Sequence, residues 1–389
     1  MIEQKALAMS DELIALRRAL HKVPETAFLE KRTSKIIQDK LTKYGIPFEV
    51  VAKTGVVGII KGAKDGKTVL LRADIDGLPI EENSGVEFKS EIDGFMHACG
   101  HDVHTTCLLG AAKILNEMKD QLSGNVKIVF QPAEEGVGGA LPMINEGVME
   151  NPHVDSAFAL HVEPLEEVGN IQIRDGAIMA SPDDFELTVH GVGGHGAYPD
   201  KCVDPILVAS MIVNAYQTIV SRQIDPMTPA VVSVCSFHAG NCTNAIPNSA
   251  TLTGTARSLS KETRAKLAHL LEKIAVDTAE SMGATCDFEF KPLYPPTINS
   301  KEANEVVVNA AKKLNIIKDV VTLEKASMAG DDFAYFIDKV LGSYFKLGVG
   351  NKEKGINYPI HSPKFNIDES ALSIGSALMA QIAFEYLNK

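Results

Sequence analysis

Residue types that bind metal ions are concentrated between positions 97 and 104. The stretch reads His-Ala-Cys-Gly-His-Asp-Val-His, so three histidines, a cysteine and an aspartate lie close together. A thiolate and imidazoles together are ligands that suit Zn²⁺ or a similar divalent ion. The alternative is the polar start of a helix, in which Asp102 suits the first turn and the histidines face solvent. The density of ligand atoms favours a metal site.

Two adjacent glutamates, Glu134 and Glu135, closely follow an apolar run that ends at Phe130. Adjacent residues on an extended segment point to opposite sides, so one carboxylate can bind a metal ion while its neighbour acts as a base. In open α/β sheets, ligands collect at the carboxyl ends of the strands. The alternative interpretation is an exposed acidic turn.

Further ligand-type side chains follow apolar runs or lie on loops. His161 closes one apolar run, and His361 lies on a loop framed by two prolines. Asp74 and Asp76 follow a second apolar run. Each of these residues alone is weak evidence, but together with the first two clusters they indicate one shared metal centre.

The elements around these residues alternate between helix and strand. Helical spacing of apolar residues predicts helices, and short β-rich runs predict buried strands. The predicted helices cover 11–21, 31–44, 102–118, 301–314, 331–339 and 368–387. The predicted strands cover 56–60, 68–71, 126–130, 157–160 and 344–348. This alternation predicts an α/β fold with a mostly parallel sheet, at whose strand ends the candidate ligands lie.

The segment from 183 to 294 has a different pattern. It predicts strands near 185–189, 230–238, 250–258 and 286–290, and helices over 204–222 and 261–282. The resulting order, β-α-β-β-α-β, is that of a ferredoxin-like unit. Prolines mark turns at both ends, where such a unit can be inserted. We therefore predict one domain from residues 1–182 and 295–389, and an inserted domain from residues 183–294.

Composition narrows the class of protein. The 389 residues include 50 acidic and 38 basic side chains, for a net charge of −12, and 45% are hydrophobic. The hydrophobic content is typical of a globular protein, and the acidic balance disfavours a nucleic-acid partner. Neither a signal peptide nor a membrane span is predicted. Six cysteines without a Cys-x-x-Cys spacing are typical of reduced thiols, so we predict a cytoplasmic location.

Four motifs resemble those of the M20 metallopeptidase and amidohydrolase family. They are His-Ala-Cys-Gly-His-Asp at 97–102, Gln-Pro-Ala-Glu-Glu-Gly at 131–136, Ala-Leu-His at 159–161 and Gly-Gly-His-Gly-Ala-Tyr-Pro at 193–199. The resemblance begins at His-Lys-Val-Pro-Glu, residues 21–25, and extends to the C-terminal helix. It is nearest to the branch of hippurate hydrolases, bacterial N-acyl-amino-acid deacylases and plant auxin-conjugate hydrolases.

The resemblance implies two divalent metal ions, of zinc, manganese, nickel or cobalt, and makes Glu134 the general base. The ligands that it implies are Cys99, His101, Glu135, His161 and His361. Many relatives begin the metal site with His-x-Asp after a strand, whereas this chain has Asp74-Ile75-Asp76 there. We therefore assign Asp74 and Asp76 to the support of the ligands, with direct metal binding as the alternative.

The resemblance also assigns roles in the inserted domain, which relatives use as a lid and as a dimer interface. His195 would stabilise the oxyanion, often from the partner subunit, and Asn244 and Arg257 would anchor the substrate. Arg257 also has the geometry to pair with a free α-carboxylate, although a charge on a strand surface is the alternative. A homodimer through the inserted domain is implied.

Together these residues predict metal-dependent hydrolysis of small N-acyl or N-aroyl amino acids into a carboxylic acid and an amino acid. The metal ions would acidify a water molecule, and Glu134 would take its proton. Alternatives within the family are a dipeptidase and an N-acetyl-diaminopimelate deacetylase. A thiol enzyme would use Cys99 as nucleophile and His101 or His104 as base. The last alternative is a non-catalytic protein that binds metal or senses thiols.

Overall fold

The computed structural model describes all 389 residues, which form ten α-helices and sixteen β-strands. The helices are α1 (Ile2–Ala8), α2 (Ser10–His21), α3 (Lys31–Tyr44), α4 (His101–Glu117), α5 (Ala140–Asn145), α6 (Pro205–Thr218), α7 (Lys261–Ser281), α8 (Lys301–Ala311), α9 (Ala334–Ile337) and α10 (Ala371–Leu387). None of them combines the length and the apolar content that crossing a membrane requires.

The strands differ widely in length. They are β1 (Phe48–Val51), β2 (Gly55–Lys61), β3 (Lys64–Asp74), β4 (Ser123–Gln131), β5 (Ser156–Glu167), β6 (Asn170–Ile173), β7 (Gly176–Met179), β8 (Ser181–His190), β9 (Gly194–His195), β10 (Ala230–Ala239), β11 (Ala245–Ile246), β12 (Ser249–Ser258), β13 (Thr285–Pro292), β14 (Thr297–Asn299), β15 (Asp319–Thr322) and β16 (Leu341–Gly350). The long strands coincide with the apolar runs of the sequence, whereas several short ones were not predicted.

The chain divides into two compact units. The first contains Met1–Ile178, Ile298–Lys325 and Asp332–Lys389, and the second contains Met179–Thr297 and Ala326–Asp331. Residues 179–182, 295–297 and 326–331 therefore lie in the second unit, whereas the predicted division placed them in the first domain. The first two are small shifts of the predicted boundaries, but residues 326–331 are a separate segment. The reason is a pairing within the second unit that the sequence does not indicate: the Ala180 N–H donates to the carbonyl oxygens of Ser327 and Ala329, at 3.1 and 2.8 Å.

An eight-stranded sheet forms the centre of the first unit, in the order β1-β2-β4-β3-β5-β16-β6-β15. The adjacent strands β4, β3, β5 and β16 are parallel to one another, so the predicted mostly parallel α/β sheet is confirmed. The pairs β1–β2, β2–β4 and β16–β6 are antiparallel. In β3 every residue from Thr68 to Asp74 is buried, because helices cover both faces of such a sheet. The run in the sequence is therefore continuous rather than alternating.

Helix α4 packs closely against α10 and starts at the metal-type residues. A Cβ atom at Gly110 would lie 2.3 Å from Ser376 Oγ, and one at Gly375 would lie 2.5 Å from Cys107 Sγ, so the two helices can approach only at glycines. Gly100, just before α4, has a φ of +84°, a backbone conformation that glycine adopts without steric cost. This residue turns the chain between Cys99 and His101.

The second unit has the β-α-β-β-α-β order that the sequence predicts, with the elements β8, α6, β10, β12, α7 and β13. Its four-stranded sheet is antiparallel, in the order β10-β12-β8-β13. Alternate residues of β8, Phe185, Leu187 and Val189, are buried in one core with Ile212 of α6 and Leu271 of α7. A half-exposed strand gives this alternation because its neighbouring side chains point to opposite faces.

Candidate metal centre

The candidate ligands all come from the first unit. Asp74 ends β3, His161 lies within β5, and His101 is the first residue of α4. The two glutamates follow the end of β4 at Gln131. Their loops converge because β3, β4 and β5 are parallel neighbours in the sheet, whose carboxyl ends meet at one edge.

Cys99 and His161 form the first half of the cluster. Cys99 Sγ lies 3.4 Å from His161 Nε2. His161 Nδ1 donates a hydrogen bond to the carbonyl oxygen of Val162 at 2.8 Å. The Nε2 lone pair therefore points at the cluster, as is usual for a metal-binding histidine. Burial lowers the pKa of His161 well below its usual range, which keeps the ring in the neutral form that binds metals.

His101 is oriented by Asp76. His101 Nδ1 donates to Asp76 Oδ1 at 3.1 Å, and the other oxygen of Asp76 accepts the N–H of Glu135 at 2.9 Å. Burial lowers the pKa of His101, but the neighbouring carboxylates outweigh burial and raise it to about 10. His101 Nε2 is buried without a hydrogen-bond partner, 3.9 Å from Glu135 Oε1 and 4.0 Å from Glu134 Oε2. A cation among these groups would satisfy them.

Glu135 and His361 complete the cluster. His361 Nε2 lies 3.1 Å from Glu135 Oε1, close enough for an ion pair but not in the geometry of a hydrogen bond. This oxygen is therefore buried without a hydrogen-bond partner. His361 has a φ of +61°, and its N–H donates to the carbonyl oxygen of Ala98 at 2.8 Å, so its loop is tied to the segment that carries Cys99. The ligand atoms of Cys99, Glu135 and His361 lie within 4.8 Å of one another.

The five predicted ligands are thus brought together. Besides the group just described, the atoms of Cys99, His101 and His161 lie within 4.8 Å of one another, as do those of His101, Glu134 and Glu135. One thiol, three imidazoles and a carboxylate form a donor set that suits zinc and related divalent ions. Two buried atoms without hydrogen-bond partners, His101 Nε2 and Glu135 Oε1, also fit a metal site, because a metal ion would be their missing partner.

Asp74 supports this cluster from one side. Its Oδ1 accepts a hydrogen bond from His104 Nδ1 at 2.6 Å, and its Oδ2 accepts one from Arg72 Nη1 at 2.7 Å. Burial raises the pKa of Asp74, but the charges of His101, His104 and Arg72 outweigh burial and hold it well below its usual range. Because both oxygens are engaged, the geometry favours a supporting role for Asp74 over direct metal binding.

The geometry excludes one of the two bases of the thiol-enzyme alternative, His104. His104 Nδ1 is bound to Asp74, and His104 Nε2 accepts the N–H of Val162 at 2.9 Å, so neither nitrogen can deprotonate a thiol. Burial and the carboxylates of Glu135, Glu134 and Asp74 raise the pKa of Cys99 well above its usual range. A thiol surrounded by negative charge ionises readily only beside a cation.

One buried network near the site was missed in the sequence. Arg72, which is 1% exposed, donates to Asp74, to Gln131 Oε1 at 2.9 Å and to Asp332 Oδ1 at 3.1 Å. Asp332 Oδ1 also accepts a hydrogen bond from Gln131 Nε2 at 2.6 Å, and its Oδ2 accepts one from the N–H of Ala140 at 2.9 Å. An arginine inside an apolar strand indicates such a network, because a buried guanidinium needs carboxylate or amide partners.

In the second unit, His195 and Asn244 are neighbours. His195 in β9 pairs with Ala245 in β11, and the N–H of Gly196 donates to the carbonyl oxygen of Asn244 at 2.8 Å. The exposed His195 ring accepts the N–H of Ala197 on Nδ1, at 3.1 Å. When neutral it therefore carries its proton on Nε2, which is left as a donor.

Arg257 is not brought to these two residues along the sheet. It lies near the end of β12 (Ser249–Ser258) that is remote from Asn244, where it is opposite Pro182 and Val231. Its side chain is half-buried and makes no hydrogen bond or ion pair. Both substrate binding and a solvated surface charge are compatible with this position.

Comparison with known proteins identifies the family to which this chain is similar. Residues 70–385 match the model of the family described as Peptidase family M20/M25/M40. The chain is 43% identical to thermostable carboxypeptidase 1 of Saccharolobus solfataricus, over 98% of this chain and 97% of that protein. It is 38% identical to N-acetylcysteine deacetylase of Bacillus subtilis, over 97% of both. The solved structure of the Bacillus subtilis YXEP protein, a dinuclear metal-binding peptidase from the M20 family, matches with a TM-score of 0.86 and 35% identity, over 98% of this chain and 99% of that one.

The role of Asp76 can be tested by metal binding. We expect Asp76→Asn to weaken Zn²⁺ or Mn²⁺ affinity about 10- to 100-fold, because the amide no longer fixes the His101 ring as the carboxylate does. Competition with a fluorescent chelator measures this affinity. The control is His153→Ala, which removes an exposed histidine that pairs only with Glu150. Wild-type affinity in Asp76→Asn would contradict the assignment.

Proposed function

Because the chain belongs to the M20 peptidase family and is a hydrolase, we propose that it hydrolyses the amide bond of N-acyl or N-aroyl amino acids to a carboxylic acid and an amino acid. The observation that carries the proposal is the position of Glu134 beside the cluster of metal-type ligands. Glu134 Oε2 lies 4.0 Å from His101 Nε2, whereas Glu135 Oε1 lies 3.1 Å from His361 Nε2. Both carboxylates therefore lie near His101, since Glu135 Oε1 is also 3.9 Å from His101 Nε2. Only Glu135 is in addition close to His361, which suits Glu135 as the ligand and Glu134 as the base.

The proposal includes two divalent metal ions per subunit. The five side chains that would hold them are Cys99, His101, Glu135, His161 and His361. The buried orphaned atoms described above and the dinuclear character of the YXEP protein support this assignment. When bound, the ions would supply the Lewis acidity that activates a water molecule and polarises the scissile carbonyl. Zinc, manganese, nickel and cobalt all suit these ligands.

Glu134 is the proposed general base. Its side chain is almost completely buried, and it lies among imidazoles and carboxylates rather than in bulk water. It would accept a proton from the attacking water molecule and deliver this proton to the nitrogen of the departing amine. Asp76 accepts the N–H of Glu135, the residue that follows Glu134, and so restricts the backbone that carries the Glu134 carboxylate.

Three residues of the second unit are proposed to bind the reacting molecule. His195 Nε2–H would donate to the oxygen of the scissile carbonyl as it gains negative charge. Asn244 would help to anchor the substrate beside His195, and Arg257 would pair with the α-carboxylate. The neighbouring positions of His195 and Asn244 and the unpaired guanidinium of Arg257 support these roles.

A second candidate function is carboxypeptidase activity. The observation that favours it is the 43% identity to thermostable carboxypeptidase 1 over nearly the full length of both chains. The two activities are chemically close, because each cleaves an amide whose nitrogen carries an amino acid with a free carboxylate. A dipeptidase and an N-acetyl-diaminopimelate deacetylase would cleave the same kind of bond.

A substrate panel and a Glu134→Gln variant together test the proposal. We expect the metal-loaded protein to release amino acids from hippurate or from N-acetyl amino acids. Glu134→Gln should lower kcat by about 100- to 10,000-fold while it retains its metal ions, because the amide cannot take a proton. Amino acid release measures kcat, and elemental analysis measures bound metal.

The control for this experiment is Glu150→Gln, which changes an exposed glutamate and should keep wild-type kcat. Full activity of Glu134→Gln would exclude Glu134 as the base. If no N-acyl amino acid is cleaved but peptides lose their C-terminal residues, the carboxypeptidase alternative replaces the first proposal.

The role of His195 is tested by its removal. We expect His195→Ala to lower kcat by about 100- to 1,000-fold, because the oxyanion loses a preorganised donor. The KM should change little, because this contact strengthens only as charge develops. His190→Ala is the matched control, since His190 is another exposed histidine of the second unit and pairs only with Asp287. Equal kcat values for the two variants would contradict the proposed role.

We also propose a homodimer through the second unit. Strand β10 is an edge strand, whose unpaired backbone groups can pair with a second chain. On α6, Ile206, Leu207 and Met211 are 39%, 52% and 45% exposed. An edge strand and an apolar helix surface in one small unit suit a self-complementary interface.

The dimer is tested with a charged substitution on α6. We expect Leu207→Glu to be monomeric where the wild-type protein is dimeric, because a carboxylate cannot be buried in an apolar interface without a partner. Sedimentation velocity measures the mass in solution. Leu165→Glu, at a residue of the first unit that is 62% exposed, should leave the dimer intact. A monomeric wild-type protein would contradict this proposal.

The proposed location is the cytoplasm. All six cysteines are free thiols, and thiols persist where cellular reductants maintain them. As a proposed metal ligand, Cys99 would need this reducing environment, because oxidation of its sulfur would remove the ligand.

A further inference from the structure

A fully buried carboxylate outside the metal centre, that of Glu30, contacts the segment that carries the two adjacent glutamates. Glu30 Oε1 accepts the N–H of Ala133 at 2.9 Å and the N–H of Phe28 at 3.0 Å. Glu30 Oε2 accepts a hydrogen bond from the Thr54 hydroxyl at 2.6 Å. Although Glu30 immediately precedes α3, its side chain makes no capping hydrogen bond to that helix. Helix capping therefore does not account for this carboxylate.

Unusual backbone conformations surround Glu30. Six residues other than glycine have a positive φ, and four of them are partners of Glu30 or lie within two residues of one. These four are Phe28 (+59°), Ala52 (+47°), Lys53 (+69°) and Ala133 (+58°). Phe28 and Ala133 donate to the carboxylate directly, and Ala52 and Lys53 precede Thr54. L-residues rarely adopt this left-handed conformation, because their Cβ atom crowds the backbone. Such residues persist where the surroundings hold them, and they are common at functional sites.

The left-handed turn at Ala133 determines where the next two residues lie. Its N–H is bound by Glu30, and its carbonyl oxygen accepts the N–H of Gly138 at 3.0 Å. Glu134 and Glu135 follow at once, so a change of φ at Ala133 would rotate both carboxylates relative to His101. The hydrogen bond from the Ala133 N–H to Glu30 fixes the start of this turn, and the hydrogen bond from the Glu135 N–H to Asp76 holds the residue two positions later.

We propose that Glu30 is a positioning residue, which holds Ala133 in its left-handed conformation and thereby directs Glu134 and Glu135 into the metal centre. This inference rests on the proposed function, because it assumes that Glu134 is the base. The carboxylate acts here as an acceptor of hydrogen bonds, and its charge is not required. A glutamine can replace it, since its carbonyl oxygen accepts the two N–H groups and its amide donates to Thr54 Oγ1.

The test compares four variants of the full-length, metal-loaded protein. Glu30→Ala should lower kcat about 10- to 100-fold, the effect of small displacements at a reacting centre, with KM changed less than about threefold. Glu30→Gln should keep at least about a third of wild-type kcat. Adding Ala133→Gly to Glu30→Ala should recover kcat at least about fivefold, because glycine adopts positive φ without steric cost. Glu25→Ala should leave kcat within about threefold of wild type.

Glu25→Ala is the matched control for lost stability. The Glu25 carboxylate accepts the N–H groups of Arg32 and Thr33 at the start of α3 and does not bind Ala133. Hydrogen exchange of the peptide that contains Ala133 provides a readout apart from activity. Its amide should exchange faster in Glu30→Ala, and should keep wild-type protection in Glu30→Gln and Glu25→Ala.

Three results would overturn the inference: a kcat in Glu30→Ala within threefold of that in Glu25→Ala, a Glu30→Gln as slow as Glu30→Ala, or no recovery with Ala133→Gly. If Glu30→Ala does not fold, Glu30→Asp replaces it, because the shorter side chain cannot reach both N–H groups, and an undiminished kcat there would also overturn the inference. Glu134→Gln in the same assay separates the two proposals. An active Glu134→Gln defeats the proposed base, whereas an inactive Glu134→Gln with a fully active Glu30→Ala defeats only the positioning role.

Discussion

The central constraint on this fold is the burial of several carboxylates at one edge of a parallel sheet. Asp74, Asp76, Glu134 and Glu135 lie within a few residues of the ends of β3 and β4. Charged groups are stable away from water only when they are paired and hydrogen-bonded. Arg72 and His104 satisfy Asp74, and His101 with a backbone N–H satisfies Asp76. Glu135 Oε1 and His101 Nε2 remain without hydrogen-bond partners. These two atoms leave the cluster in need of an additional positive charge.

The hydrogen bonds of four histidines suit them to different proposed roles. His101 and His161 each donate from Nδ1, to a carboxylate and to a carbonyl oxygen, so that Nε2 faces the cluster. His104 also donates from Nδ1, but a backbone N–H already occupies its Nε2. His195 instead accepts on Nδ1 and retains a proton on Nε2. The partner of one ring nitrogen thus determines whether the other is available to a metal ion, supports the backbone or can donate a hydrogen bond.

Much of the fold and of the candidate site could be predicted from the sequence, because both depend on local patterns. The buried strand β3 gives an uninterrupted apolar run, and α3 was predicted with the bounds that it has, at 31–44. The contacts that could not be predicted join distant residues. Arg72 and Asp332 are far apart in the sequence, as are Glu30 and Ala133, and no periodicity relates them. Strands β6 and β15, of four residues each, are too short to show a period, and their pairing comes from tertiary packing.

The metal-type ligands alone do not explain what such a protein cleaves. A carboxypeptidase and an N-acetylcysteine deacetylase are both about 40% identical to this chain over nearly its full length. Both reactions break an amide next to a free carboxylate, so the same ligands and base can serve either one. Under the proposed function, the choice of acyl group would therefore depend on residues outside the cluster. Tyr358 and Ile360 lie on the loop that leads to His361 and are 41% and 37% exposed. Large apolar side chains near a polar site select ligands by shape and by the area that they bury. Under the proposed function, we therefore expect such loops, rather than the buried candidate ligands, to decide which acyl group this chain accepts.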